Sequence, residues 1–143
     1  MTTSTVPGTF LGRHRRLVVT SPTFLVVSLW IREGRIAGFE AYERKTSRIM
    51  KRYGGVVERT VRISEPGTAS GQPFEVHVVC FPSQAMCEAY RTDAEVKALS
   101  SEREAVIMKA VVLEGTLGPA YAPNHSPHPR CVGKPAHAGE LKC

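Results

Sequence analysis

Residues 74–81 read FEVHVVCF, and residues 56–63 read VVERTVRI. The first run carries His77, whose ordinary pKa near neutrality suits it to take and return a proton. If the two runs pair as a hairpin with Ile63 near Phe74, then Arg62 lies opposite Glu75, Thr60 opposite His77 and Glu58 opposite Val79. That set could do acid/base chemistry. His77 would be the general acid or base, Glu58 would tune it, and Arg62 would hold an anionic group or a developing enolate. Ser28, Trp30, Thr60, Glu75 and Tyr42 are the candidate substrate contacts. The chemistry calls for no cofactor and no metal. The plainer reading is that His77 is a satisfied interface histidine, that Glu58, Arg62 and Glu75 form an ion-pair cluster, and that Trp30 and Tyr42 pack.

Side-chain alternation assigns faces. The wholly apolar positions are Leu25, Val27, Leu29, Val57, Val61, Ile63, Phe74, Val76, Val78 and Cys80, and these are expected under the helices. The mixed positions Ser28, Trp30, Glu58, Thr60, Arg62, Glu75 and His77 are then expected on the opposite, bare face of the sheet.

The elements that must carry these residues follow from pattern and punctuation. FLVVSLW (24–30) is an apolar, β-branched strand. Over 34–55, Ile36, Phe39, Tyr42, Thr46, Ile49, Met50 and Tyr53 recur at spacings of three and four. Glu40, Arg44, Lys45, Arg48, Lys51 and Arg52 fill the other face, which predicts an amphipathic helix. Gly54–Gly55 ends it, because glycine tolerates the left-handed conformation past a helix C-terminus. VVERTVRI and FEVHVVCF are the second and third strands. Ser83 can cap a helix over QAMCEAY, and Thr92-Asp93-Ala94-Glu95 has the form of a capping box for a further helical segment with Val96 and Leu99. IMKAVVL (107–113) is the fourth strand. The order βαββαβ predicts an α+β, ferredoxin-like sandwich: a four-stranded antiparallel sheet with two helices on one face.

The rest of the chain narrows the function classes. Its 143 residues suit one domain able to bury its own core. Residues 1–23 form a flexible N-terminal arm, 24–115 the folded domain, and 116–143 a flexible Pro/Gly/His-rich tail. The net charge of +6 sits in the flanks: residues 22–115 hold thirteen Lys and Arg against twelve Asp and Glu. Nucleic-acid binding by the fold is therefore disfavoured, although the flanks could attract polyanions in a salt-sensitive way. His125, His128 and Cys131 are metal-binding types, but prolines surround them and no four-ligand frame is evident. RHRR (13–16) precedes an apolar stretch that TSPT interrupts, and no small-residue cleavage site follows. With no CxxC, Cys80 and Cys87 are expected as buried thiols, and the chain as a soluble, cytoplasmic protein with no membrane partner.

YGG (53–55), FPS (81–83), AYRTDAEV (89–96) and VVLEG (111–115) carry a resemblance. The stretch 24–115 resembles small bacterial proteins of the dimeric α/β-barrel superfamily, nearest to the domain-of-unknown-function family number 1330. The resemblance implies a homodimer with two sheets packed face to face. It also implies relatives that include cofactor-free monooxygenases, muconolactone-type isomerases, haem-binding enzymes and non-catalytic ligand sensors. Two readings stay open. One is a small enzyme of isomerase, cyclase or monooxygenase type acting on a small organic substrate. The other is a non-catalytic small-ligand-binding or dimeric interaction module.

Overall fold

The computed structural model describes residues 20–66 and 71–121. The chain runs β1 (Thr23–Ile31), α1 (Ile36–Arg52), β2 (Val56–Arg62), β3 (Glu75–Phe81), α2 (Gln84–Thr92), α3 (Ala94–Ala98), α4 (Ser100–Val106) and β4 (Ile107–Gly115). The four strands form one antiparallel sheet in the order β2-β3-β1-β4. This is the ferredoxin-like fold. The second helical region is broken into α2, α3 and α4, where a single helix and one further segment were expected.

Local chemistry explains the breaks. Ser83 caps α2 by accepting from the Met86 amide. Asp93 caps α3 in the same way, accepting from Glu95 and Val96. Asp93 therefore takes the capping position, not Thr92, whose hydroxyl donates back to the Glu88 and Ala89 carbonyls instead. Helix α1 stops where expected: Gly54 has φ +69°, a conformation that glycine adopts without a Cβ penalty. The Tyr53 hydroxyl donates to Asp93 at 2.5 Å and ties the end of α1 to the start of α3.

Two core clusters lie between sheet and helices. Leu25, Val79 and Phe81 pack on Met50 and Cys87, and Leu29 packs with Phe39, Tyr42, Val106 and Ile107. A third, Phe24 and Cys80 with Val56 and Val78 against them, lies on the other face. Strand β3 is thus turned over relative to expectation: Glu75, His77, Val79 and Phe81 face the helices, while Val76, Val78 and Cys80 face away. The expected faces of β1 hold.

The hairpin register is the expected one at Arg62↔Glu75 and Thr60↔His77, and the Ile63 amide donates to the Phe74 carbonyl at 3.0 Å. It then slips. Val57, not Glu58, pairs with Val79, because a bulge between Val57 and Arg59 takes up one residue. Cys87 is a free, fully buried thiol. Cys80 is disulfide-bonded, not the free thiol expected. Among the described residues, no helix is long and apolar enough to cross a membrane. His125, His128 and Cys131 lie outside the described residues.

Candidate active site

A cavity of about 640 Å³ lies between the helices and the sheet. Leu25, Val27, Leu29, Val57, Val79 and Phe81 form its floor, with Ala110 and Val112 from β4. Helices α1 and α2 supply Tyr42, Glu43, Thr46, Met50, Tyr90 and Arg91, and α3 and α4 supply Val96, Ser100 and Arg103. The space is an apolar enclosure with a few polar groups converging on it, the usual form of a small-molecule site.

His77 reaches the cavity from the centre of the sheet and is 6% exposed. Its Nε2 lies 2.5 Å from Glu75 Oε1. Glu75 is itself buried and is fixed from behind: Arg62 donates to its Oε2 through Nε at 3.2 Å and Nη2 at 3.0 Å. The same Nη2 reaches Glu40 on α1 at 3.1 Å, and the guanidinium lies 4.8 Å from the Phe74 ring centroid. Arg62 thus fixes the position of this carboxylate. In the tautomer that donates from Nε2 to Glu75, Nδ1 is the nitrogen with a lone pair. Phe39 packs beside the imidazole at 6.5 Å between ring centroids and limits its rotation.

On the Nδ1 side stands Glu43 of α1, with Oε2 at 3.8 Å. Burial pushes the Glu43 carboxyl above its ordinary range; His77 opposes that rise and Glu75 adds to it. Burial also raises both cavity tyrosines, Tyr42 above its usual value and Tyr90 up to about 12. Arg91 is committed elsewhere, to Glu88 at 2.7 Å and Glu114 at 3.4 Å, and so links α2 to β4 at the cavity rim.

The expected site residues divide. His77 and Tyr42 line the cavity. Glu75 and Arg62 stand behind His77 and orient it, which replaces the expected roles of substrate contact and anion holder. Thr60 is paired beside His77 on the exposed edge strand and does not line the cavity. Glu58 sits in the bulge, so it does not take the expected place opposite Val79. Ser28 and Trp30 lie on the opposite face of the sheet. Trp30 donates to the Gly71 carbonyl at 3.2 Å and carries Lys109 over its ring at 4.5 Å.

Sequence reasoning missed Glu43, Thr46, Tyr90 and Arg103 as cavity residues. A signal for Glu43 existed. It lies four residues after Phe39 and three before Thr46, so helical spacing puts it on the buried stripe of α1.

No family model matches this chain, and no curated protein matches it in sequence. Solved structures do match in fold. A protein of unknown function from Rhodopseudomonas palustris superposes with a TM-score of 0.60 at 17% identity, over 69% of this chain and 85% of that one. SnoaB, a cofactor-independent oxygenase from Streptomyces nogalater, gives a TM-score of 0.55 at 13% identity, over 71% of this chain and 98% of that one. A DABB-family protein with a ferredoxin-like fold from Mesorhizobium loti gives 0.51 at 14% identity, over 69% and 100%. At these identities the likeness is one of fold. It bears on the fold and not on the superfamily, and no family model supports the resemblance to family number 1330.

Proposed function

We propose that this chain is a small enzyme that uses His77 to move a proton on an apolar organic substrate held between sheet and helices. Isomerisation, cyclisation and cofactor-free oxygenation all begin by removing a proton to form an enolate or phenolate, and that shared first step is the one assigned to His77. The carrying observation is the imidazole at the cavity wall, with Nε2 on an arginine-fixed carboxylate and Nδ1 turned toward Glu43. The arrangement fixes tautomer and orientation together, as an effective base requires. The step needs no cofactor. A cytoplasmic homodimer, paired through the sheet face opposite the helices, completes the reading. SnoaB, a cofactor-independent oxygenase of the same fold, is compatible with it.

The test follows exchange of the α-hydrogens of α-tetralone, an apolar enolisable ketone, into deuterated buffer by NMR, with thermal melting alongside. The wild-type protein should accelerate exchange. His77→Gln should lose the acceleration while melting close to wild type. Exchange at the buffer rate, or an unchanged rate in His77→Gln together with a fall in melting temperature, would favour a non-catalytic ligand-binding module in which the Glu75–His77 pair is structural.

A further inference from the structure

We infer that Glu43 is a second catalytic residue, the acid that works beside His77 on the same bound molecule; this rests on the reading of His77 as the base.

Three observations converge on Glu43. Its carboxyl, on α1, and the His77 ring, on β3, line the same cavity side by side. The separation of Oε2 and Nδ1, 3.8 Å, is too long for a direct hydrogen bond. It is short enough for both groups to contact one small functional group seated beside the pair. The carboxyl is also largely enclosed, with 24% of its side chain exposed, and has no arginine or lysine ion pair among the described residues, whereas Glu75 has Arg62. The charged or titratable groups facing it are His77 and Glu75 from β3, Arg103 from α4, Tyr90 from α2 and its neighbour Tyr42. Burial raises the Glu43 carboxyl above its ordinary range and Glu75 adds to that rise, while His77 and Arg103 oppose it. Two carboxylates flank one imidazole, and they are prepared for different work. Glu75 is bound by Arg62 and orients the ring, whereas Glu43 faces the cavity with no arginine or lysine bound to it among the described residues.

The chemistry balances without an oxidant or reductant. Nδ1 takes a proton from the carbon next to a carbonyl, so a C–H bond breaks and an N–H bond forms. As charge moves to the carbonyl oxygen, Glu43 gives that oxygen its proton and becomes a carboxylate. The products are an enol, an imidazolium and a carboxylate. Where the substrate is a β,γ-unsaturated carbonyl compound the enol is a dienol; return of the Nδ1 proton to its γ-carbon, with the enol proton going back to Glu43, completes a proton-shift isomerisation and restores both groups. The substrate class is therefore an enolisable carbonyl compound with an apolar body.

Two measurements test the assignment. In protein labelled with ¹³C at glutamate carboxyls, the Glu43 signal should titrate above the ordinary carboxylate value. In the α-tetralone exchange, Glu43→Gln keeps the volume but cannot transfer a proton, and it should slow wild-type exchange on the order of 10²-fold. The His77 ¹⁵N shifts should stay as in wild type, separating lost acid function from a displaced imidazole. If Glu43→Gln exchanges at the wild-type rate while His77→Gln does not, Glu43 is no acid and His77 works alone. If wild type exchanges no faster than buffer, the reading of His77 fails and Glu43 fails with it. Should Glu43→Gln not fold, the wild-type titration decides, and an ordinary carboxylate value overturns the assignment.

Discussion

His77 and Glu75 are two residues apart on one strand, and their side chains meet at 2.5 Å on the helix-facing side of the sheet. Strand alternation alone puts them on one face, and Arg62 across the hairpin completes the line. Glu75→Gln preserves shape and removes the charge that Arg62 and His77 share. Arg62 is half exposed and can be resolvated, but the amide sits in a buried position built for a carboxylate. The expected cost is about 1–3 kcal/mol, read as a lower urea midpoint. The ring proton should also move: ¹⁵N shifts of His77 should show Nε2 less fully protonated. An unchanged midpoint with unchanged shifts would mean that Glu75 does not set the tautomer.

Glu43 predicts a pH dependence of stability. Its folded-state carboxyl is raised above the ordinary 4.5, chiefly by burial. The folded protein therefore holds this proton more tightly than the unfolded chain. The contribution is complete below the unfolded value and is lost as pH rises through the raised folded value. Glu43→Gln has no proton to lose. Compared across a pH series, wild type should lose stability relative to the variant as pH climbs above about 4.5. Parallel curves from urea unfolding would contradict the raised carboxyl.

Element order was legible because each element carries its own signal: the spacing-three-and-four stripe of α1, the Gly54 stop, the Ser83 cap and the β-branched strands. The face of β3 was not legible. Both of its faces contain large apolar residues, Val76 and Val78 on one and Val79 and Phe81 on the other. The rule that polar residues point away from helices fails when the polar set satisfies itself. Arg62, Glu75 and His77 are partnered to one another beneath α1, so burying Glu75 and His77 leaves no unpaired group. The bulge at Glu58 was equally invisible, since it changes register without any glycine or proline to mark it. These two features account for the misplaced strand residues; Glu43, Thr46, Tyr90 and Arg103 come from the helices, whose approach to the cavity strand alternation does not reveal.

The reversal of β3 also bears on the homodimer. Val79 and Phe81 belong to the core under the helices, so they are not part of the sheet's outward face. The outward face instead carries Val26, Val61, Val111 and Leu113, all exposed, with Leu113 63% exposed. A contiguous apolar face of this kind seeks cover. Wild type should sediment as a dimer at micromolar concentration. Leu113→Lys should weaken association by on the order of 10²-fold or more, through a charge buried without a partner, while the monomer keeps its circular dichroism. A monomeric wild type would remove the dimer from the proposal and leave the cavity chemistry untouched.

Gly55 offers a test of how the fold fixes the cavity floor. Gly54 needs its glycine for a left-handed φ, but Gly55 needs its own for space. A Cβ at Gly55 would fall inside contact distance of Met50 Cγ and lie 2.5 Å from Phe81 Cε1 and 2.9 Å from Cζ. Met50 is unbranched and can shift. Phe81 cannot easily do so, being fully buried and stacked 5.5 Å from the Tyr90 ring. Gly55→Ala should therefore act as an overpacking substitution costing about 1–3 kcal/mol, and lower the melting temperature by roughly 5–15 °C. Because Phe81 and Tyr90 both line the cavity, the variant should also weaken α-tetralone binding more than Leu113→Lys does. A Gly55→Ala protein that melts and binds like wild type would show that the turn after α1 yields, and that this glycine does not hold Phe81 in place.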